Sequence, residues 1–314
     1  MKRFTMVALS LGLSGLAACT ESTGPGTVTG NASAREREEI LAAIEAAQFF
    51  GETFDLNGMA SDFLAAAPVG AGPQSTVALE VVPLPRHWGR RWGQPIERTR
   101  TINVTNDTAR VELAVRFEGQ LLALLPRDGA PPDTLRQPFR QTFLQRAVLV
   151  RATHQAGERR WRLVGASPAQ FVMTDVARRT TSVTRVTVEV NGQVKIDVTD
   201  PGAIYDVDAG LPRLEVGDQV RVTARVSNTA GTGNTPETFV FLHIMHARDA
   251  GLGWARIPMD VNPAGDYVRS WTVRHPGRER IGVDAIDSQS FQAGADKEYR
   301  SNAWGIPYRI GSGH

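Results

Sequence analysis

Four groups of residues have types and spacings that could support chemistry. The first is a single thiol: Cys19 is the only cysteine in 314 residues, and it follows Leu16-Ala17-Ala18 directly. The second is "HIMHARD", with His243, His246 and Asp249. Histidines at i and i+3 share a face on a helix and could hold a metal. The surrounding "FVFLHIMH" reads instead as a strand, where i and i+3 point to opposite faces. They therefore read as one half-buried and one exposed histidine, and no metal ligand is assigned. The third is "DVTDPGAIYDVD", which sets Asp197, Asp200, Asp206 and Asp208 close together. Calcium takes roughly six to eight oxygen ligands. This spacing matches no calcium-loop template and lacks a closing glutamate, so turn-forming aspartates that bond their own backbone are the simpler reading.

The fourth group is the most unusual. "PRHWGRRWG" (85–93) sets Trp88 and Trp92 among glycines, with Arg86, Arg90 and Arg91 alongside. It reads as an exposed loop, where large aromatics must cover something. They could stack on a sugar, on a peptide or on arginine, fold back as a lid on the domain's own core, or touch a bilayer. Trp88, Arg90, Arg91 and Trp92 are the candidate ligand-binding residues. Trp254 and Trp271 read as core. No nucleophile elbow, phosphate loop, dinucleotide fingerprint or His-Glu-x-x-His pair occurs. No catalytic residue and no cofactor is assigned.

Lys2 and Arg3 precede an apolar run from Phe4 to Ala18. That run is shorter than the ~20 residues a spanning helix needs, and it ends in small residues, which describes a secretory signal. Leu16-Ala17-Ala18-Cys19 resembles the lipobox of bacterial lipoproteins. The resemblance implies cleavage before Cys19, a diacylglycerol on its sulfur and an acylated amino terminus. More than one acyl chain gives stable anchoring. Thr20 stands where the family's inner-membrane retention signal has Asp, so the outer membrane is the implied address where the cell has one.

Of 35 basic and 33 acidic side chains, Lys2 and Arg3 make up the excess. The mature chain is then formally neutral, which argues against a nucleic-acid partner. With no second cysteine there is no disulfide, so apolar burial must stabilise the fold. The length favours two domains.

The expected order is a signal peptide (1–18), lipidated Cys19 with a Gly-rich tether (19–34), an α+β domain (35–174), a linker (175–182) and a β-sandwich (183–311). Ser33 and Glu36 form a capping box ahead of Ile40, Leu41, Ile44, Ala47 and Phe50 at helical spacing. A second short helix is expected at 57–67 and a strand at 76–82. In "TARVELAVRFEG", Val111, Leu113, Val115 and Phe117 alternate with polar residues. Helices followed by long antiparallel strands predict helices on one face of a curved sheet. The order of elements over 35–174 resembles the NTF2-like cone fold, which often leaves a pocket. His87 and His154 are not placed as buried bases, so the enzymatic side of that family is not carried over. Beyond 182, short strands alternate, with Val220, Val222 and Ala224, then Ile281, Val283 and Ala285, facing inward. "VGDQVRVTARVSN" and "PAGDYVRSWTVRHPGRERIGVDAID" resemble a bacterial immunoglobulin-like domain.

The expected function is that of a membrane-anchored cell-envelope lipoprotein acting as a non-catalytic binding module. The bilayer is reached through acylated Cys19, and the further partner is an envelope protein or polysaccharide. The alternatives are a small-pocket enzyme in the α+β domain and a purely structural spacer.

Overall fold

A computed structural model describes residues 26–47, 88–127, 130–153, 159–230, 238–248, 251–274, 277–294 and 297–311. The signal segment, Cys19, the expected second helix and the expected strand at 76–82 lie outside them. So do Asp249 and the side chains of His246 and Trp254.

The chain opens with β1 (Gly26–Thr29) and α1 (Ala34–Ala47). Three long strands and two short ones follow: β2 (Trp88–Thr105), β3 (Thr108–Arg127), β4 (Ala130–Thr153), β5 (Arg159–Ala166) and β6 (Ala169–Met173). After a 3-10 turn at Val176–Arg178 come β7 (Thr181–Val190), β8 (Gln193–Val198), β9 (Tyr205–Asp206), β10 (Arg213–Glu215) and β11 (Gln219–Asn228). The chain ends with β12 (Thr238–Arg248), β13 (Gly251–Pro258), β14 (Asp260–Val261), β15 (Tyr267–Thr272), β16 (Gly277–Asp287) and β17 (Ser301–Gly311).

This overturns the expected α+β domain followed by a sandwich. The described residues hold one α-helix and two sheets, and the larger sheet runs β1-β2-β3-β4-β6-β17-β16-β12-β13. The fold implied by the cone-like resemblance goes with it. The physical reason is that β6 pairs with β4 on one side and with β17 on the other. Strands from both sides of the expected 175–182 linker thereby share one hydrogen-bonded sheet. Residues 26–29, expected as tether, add to its edge parallel to β2. The smaller sheet runs β14-β15-β11-β7-β8. Its β7–β8 hairpin turns through Asn191 and Gly192, both at positive φ, which suits the twist of a two-residue turn.

The large sheet curls on itself. Arg90 on β2 and Asp284 on β16 are five steps apart in strand order. At ~4.8 Å per strand a flat sheet would separate them by roughly 24 Å, yet Arg90 Nη2 lies 2.7 Å from Asp284 Oδ1. Arg256 on β13, still further along, donates to the Trp88 carbonyl at 2.9 Å. The curl encloses an aromatic core of Trp88, Trp92, Phe139, Phe143, Phe171 and Phe291 among others. The outer faces of β12, β16 and β17 pack on the small sheet through Val240, Leu242, Ile281, Val283, Trp304 and Ile306. Trp271 packs against that second core. Strands buried on both faces lose the alternation of half-buried ones, which accounts for the continuous apolar run of "FVFL".

The capping box forms. Ser33 N–H donates to Glu36 Oε2 at 3.1 Å, and Glu36 N–H donates to Ser33 Oγ at 3.3 Å. Glu36 also accepts from Arg151 at 2.8 Å, which ties α1 to β4. Ile40 and Ile44 bury against Ile102, Val111 and Leu149. Between β1 and α1, Gly30 sits at φ +105°, and a Cβ there would meet the Ile102 carbonyl oxygen at 2.1 Å. Gly30→Ala is expected to destabilise the protein by more than about 1 kcal/mol, read as a lower urea midpoint with an unchanged slope.

Candidate functional site

The expected exposed loop at 85–93 is, from Trp88 onward, the start of β2. Strand alternation sends Trp88, Arg90 and Trp92 inward, where all are buried, and leaves Arg91 in solvent. The two tryptophans therefore belong to the core, which matches the reading that folds them back on the domain's own core. Trp92 packs edge-on against Phe117 and Phe139, with ring centres 5.7 and 4.9 Å away. Trp88 lies against Phe241 and Phe291, and the Arg256 guanidinium covers it 3.8 Å from the ring centre. Of the four candidates, Trp88, Arg90 and Trp92 are interior and Arg91 is exposed.

The interior network is built on Arg90. One carboxylate, Asp284, accepts from Arg90 at 2.7 Å and meets His243 Nε2 at 3.2 Å. The Arg90 guanidinium also lies over the Tyr299 ring, 5.4 Å from its centre. Ser301 Oγ donates to Tyr299 Oη and accepts from Gln141 Nε2, each at 2.7 Å. All six of these side chains are buried. Burial by itself would raise the Asp284 pKa, but the Arg90 charge and the His243 bond bring it down to about 2. Burial lowers the His243 pKa despite its bond to Asp284, and it raises that of Tyr299. The network thus holds a carboxylate and a guanidinium charged, with imidazole and phenol neutral. Arg90 Nε, His243 Nδ1 and Gln141 Oε1 have no partner among the described residues. His243 is buried, more so than either histidine of the pair was expected to be, and nothing in "HIMHARD" signals its partner 41 residues away.

A cleft is lined by residues of the same strands. It has a volume of about 670 Å³ and crosses β2, β3 and β4 to the turn after β6. Its rim carries Arg91, Glu118, Gln120, Arg140, Asp175 and Arg178. At Gly119 the missing side chain leaves room for the Phe139 ring, which lies 2.5 Å from where a Cβ would stand. Trp92, Met173 and Phe139 also border the cleft, each almost wholly buried in the aromatic core. Arg140 is tied to Glu118 at 2.7 Å. Arg178 is held by Glu298 at 2.7 Å and Asp175 at 3.6 Å. Among the described residues Arg91 has no carboxylate partner. Sequence reasoning missed Glu118, Gln120, Arg140, Asp175 and Arg178, because only strand pairing brings them beside Arg91. Glu118↔Arg140 and Arg91↔Gln120 are direct cross-strand partners.

The four aspartates of "DVTDPGAIYDVD" are each occupied. Asp197 takes a two-point bond from Arg185 at 2.8 and 2.6 Å. Asp200 caps the turn at Gly202, and Asp206 accepts from the Asp208 and Ala209 amides. Asp208 accepts from Arg162 at 3.0 Å. They serve turns and ion pairs, and they do not converge on a point.

No known protein family model matches the chain, and no curated protein is similar to it at a significant level. Among solved structures it is similar to a polysaccharide lyase at 12% identity, with a TM-score of 0.19, over 73% of this chain and 40% of that one. The chain thus spans less than half of that structure, and a likeness so slight carries no argument.

Proposed function

We propose that this chain is a membrane-anchored cell-envelope lipoprotein whose all-β body is a non-catalytic binding module. The anchor reading rests on Leu16-Ala17-Ala18-Cys19 and the positive, short apolar leader before it. The observation that carries the binding reading is the cleft. It is a concavity of ligand-site size lined by charged, polar and apolar side chains together, a mixture expected of small-ligand sites. Its ionisable side chains are paired with one another around Arg91 and do not form a nucleophile with its base. The buried Asp284, His243 and Tyr299 neutralise or hydrogen-bond each other inside the curled sheet, which favours a structural role for them over the enzyme alternative.

Intact-mass measurement of the native product is expected to show a chain that begins at Cys19 and carries acyl groups. Cys19→Ser should release the protein from membranes. For the cleft, Gln120→Trp fills an exposed strand position on the rim. The immobilised full chain is expected to retain an envelope component that this variant does not, with the circular-dichroism spectrum unchanged. Equal retention by both would favour the spacer reading.

A further inference from the structure

The first strand fixes where an anchor at Cys19 would meet the body; this inference rests on the lipoprotein reading above. Most of the tether expected over 19–34 is taken up by the fold. Gly26–Thr29 pair in register with Arg98–Thr101 of β2. Beyond them, Asn31 Nδ2 donates to the Val104 carbonyl at 3.0 Å, and the Val104 amide donates to Asn31 Oδ1 at 2.6 Å. Ser33 then caps α1. Only residues 20–25 remain between Cys19 and the first residue held by the sheet. From this short span and its exit beside β2, we infer that the β1–β2 corner around Ile96 is the face that rests on the bilayer surface.

Lengths decide it. From Cys19 to Gly26 the chain reaches at most ~25 Å when fully extended, and a Gly-rich coil of that length spans ~15 Å on average. A folded body of roughly 290 residues has a radius of gyration of about 19 Å, hence a width of about 50 Å. The reach is half that width. Gly26 cannot retreat far enough for the opposite side of the body to meet the lipid. The side that meets it is the one where the chain leaves the sheet. There Ile96, two residues before the Arg98 partner of Gly26, is half exposed. An aliphatic side chain suits the boundary between headgroups and acyl chains. A second protein could cover an exposed strand edge, but only the bilayer is tied to this corner by the covalent chain. Val261 marks a remote side. It lies on β14, at the edge of the smaller sheet away from β8. β8 is the strand that adjoins β9 and, through it, β5 and α1.

The experiment is fluorescence quenching on the full acylated chain in phosphatidylcholine vesicles that contain lipid with a nitroxide on its headgroup. Cys19 is the only native cysteine and its sulfur is blocked by lipid, so Ile96→Cys and Val261→Cys each offer one thiol for a fluorophore. Both positions are exposed, which leaves the fold intact. The probe at 96 is expected to lose most of its emission and the probe at 261 very little. An insert of about 20 Gly/Ser residues after Gly24 raises the reach to ~95 Å, beyond the width of the body, and should bring the two probes close to equal. Equal quenching with the native tether, or stronger quenching at 261, in protein that still sediments with the vesicles would overturn the orientation and leave the anchor standing. A difference that survives the insert would remove tether length as its cause and overturn the inference. Protein that neither carries acyl mass nor sediments with vesicles would instead bring down the lipoprotein reading, and the orientation with it.

Discussion

Asp284→Asn is expected to cost about 3–5 kcal/mol of stability, the usual penalty for removing one partner of a buried ion pair. The substitution keeps the shape of the side chain and removes its charge. Arg90 is left as an uncompensated cation in a site with almost no solvent contact, and its remaining aromatic neighbour, Tyr299, is neutral. His243 Nε2 loses its carboxylate partner at the same time. Urea unfolding followed by circular dichroism reads the loss. The paired variant Arg90→Met with Asp284→Leu removes both charges together and is expected to recover most of it, since buried pairs often exchange for apolar residues at little net cost. A double variant no more stable than Asp284→Asn would mean the charges are not what holds β2 to β16.

Asp284 and its neighbour His243 set an acid limit. Asp284 and His243 both have folded-state pKa values below their ordinary ones, 3.8 and 6.5. The unfolded chain therefore binds more protons, and stability rises with pH. The His243 contribution is present above 6.5 and is lost as pH falls through its lowered folded value. The Asp284 contribution is present above 3.8 and is lost as pH falls towards about 2. Asp284→Asn should flatten the lower part of that curve.

What the sequence made legible was local. The Ser33–Glu36 capping box and the inward set Val220, Val222 and Ala224 depend on near neighbours or on a period of two, and the structure has them. What it hid was the sheet order. The α+β expectation drew on a helix and a strand placed in residues outside the described ones, and on helix-then-strand order, which says nothing about partners. Nothing local marks β6 as a joining strand; its pairing with β17, some 130 residues on, joins the halves. The stretch at 88–93 was misread for a related reason. Its glycines suggested a loop, but Gly89 and Gly93 sit in a strand whose tryptophans already alternate at i and i+4. A period-two count over Trp88, Arg90 and Trp92 would have placed all three on one face. It would also have put a charged residue in the core, which is the signal that a partner such as Asp284 must exist elsewhere.

That misread strand also closes the fold, and Trp88→Ala tests it. Truncating a buried tryptophan costs about 3–5 kcal/mol through lost transfer energy and the cavity left behind. Here the loss falls at a seam. β2 and β13 are not hydrogen-bonded to each other in the sheet order; they meet through Arg256, which bonds the Trp88 carbonyl and covers its ring. Removing the ring takes away the cation–π contact and the packing against Phe241 and Phe291, while the carbonyl bond remains available. Trp88→Phe keeps an aromatic face and is expected to cost well under half as much. Hydrogen exchange distinguishes a local from a global effect. Amides of β12 facing β13 should lose protection before those in the β7–β11 pair, whose partners all lie in the smaller sheet. Uniform loss across both sheets would mean that the curl is held by its core as a whole, with no particular contribution from the Trp88–Arg256 seam.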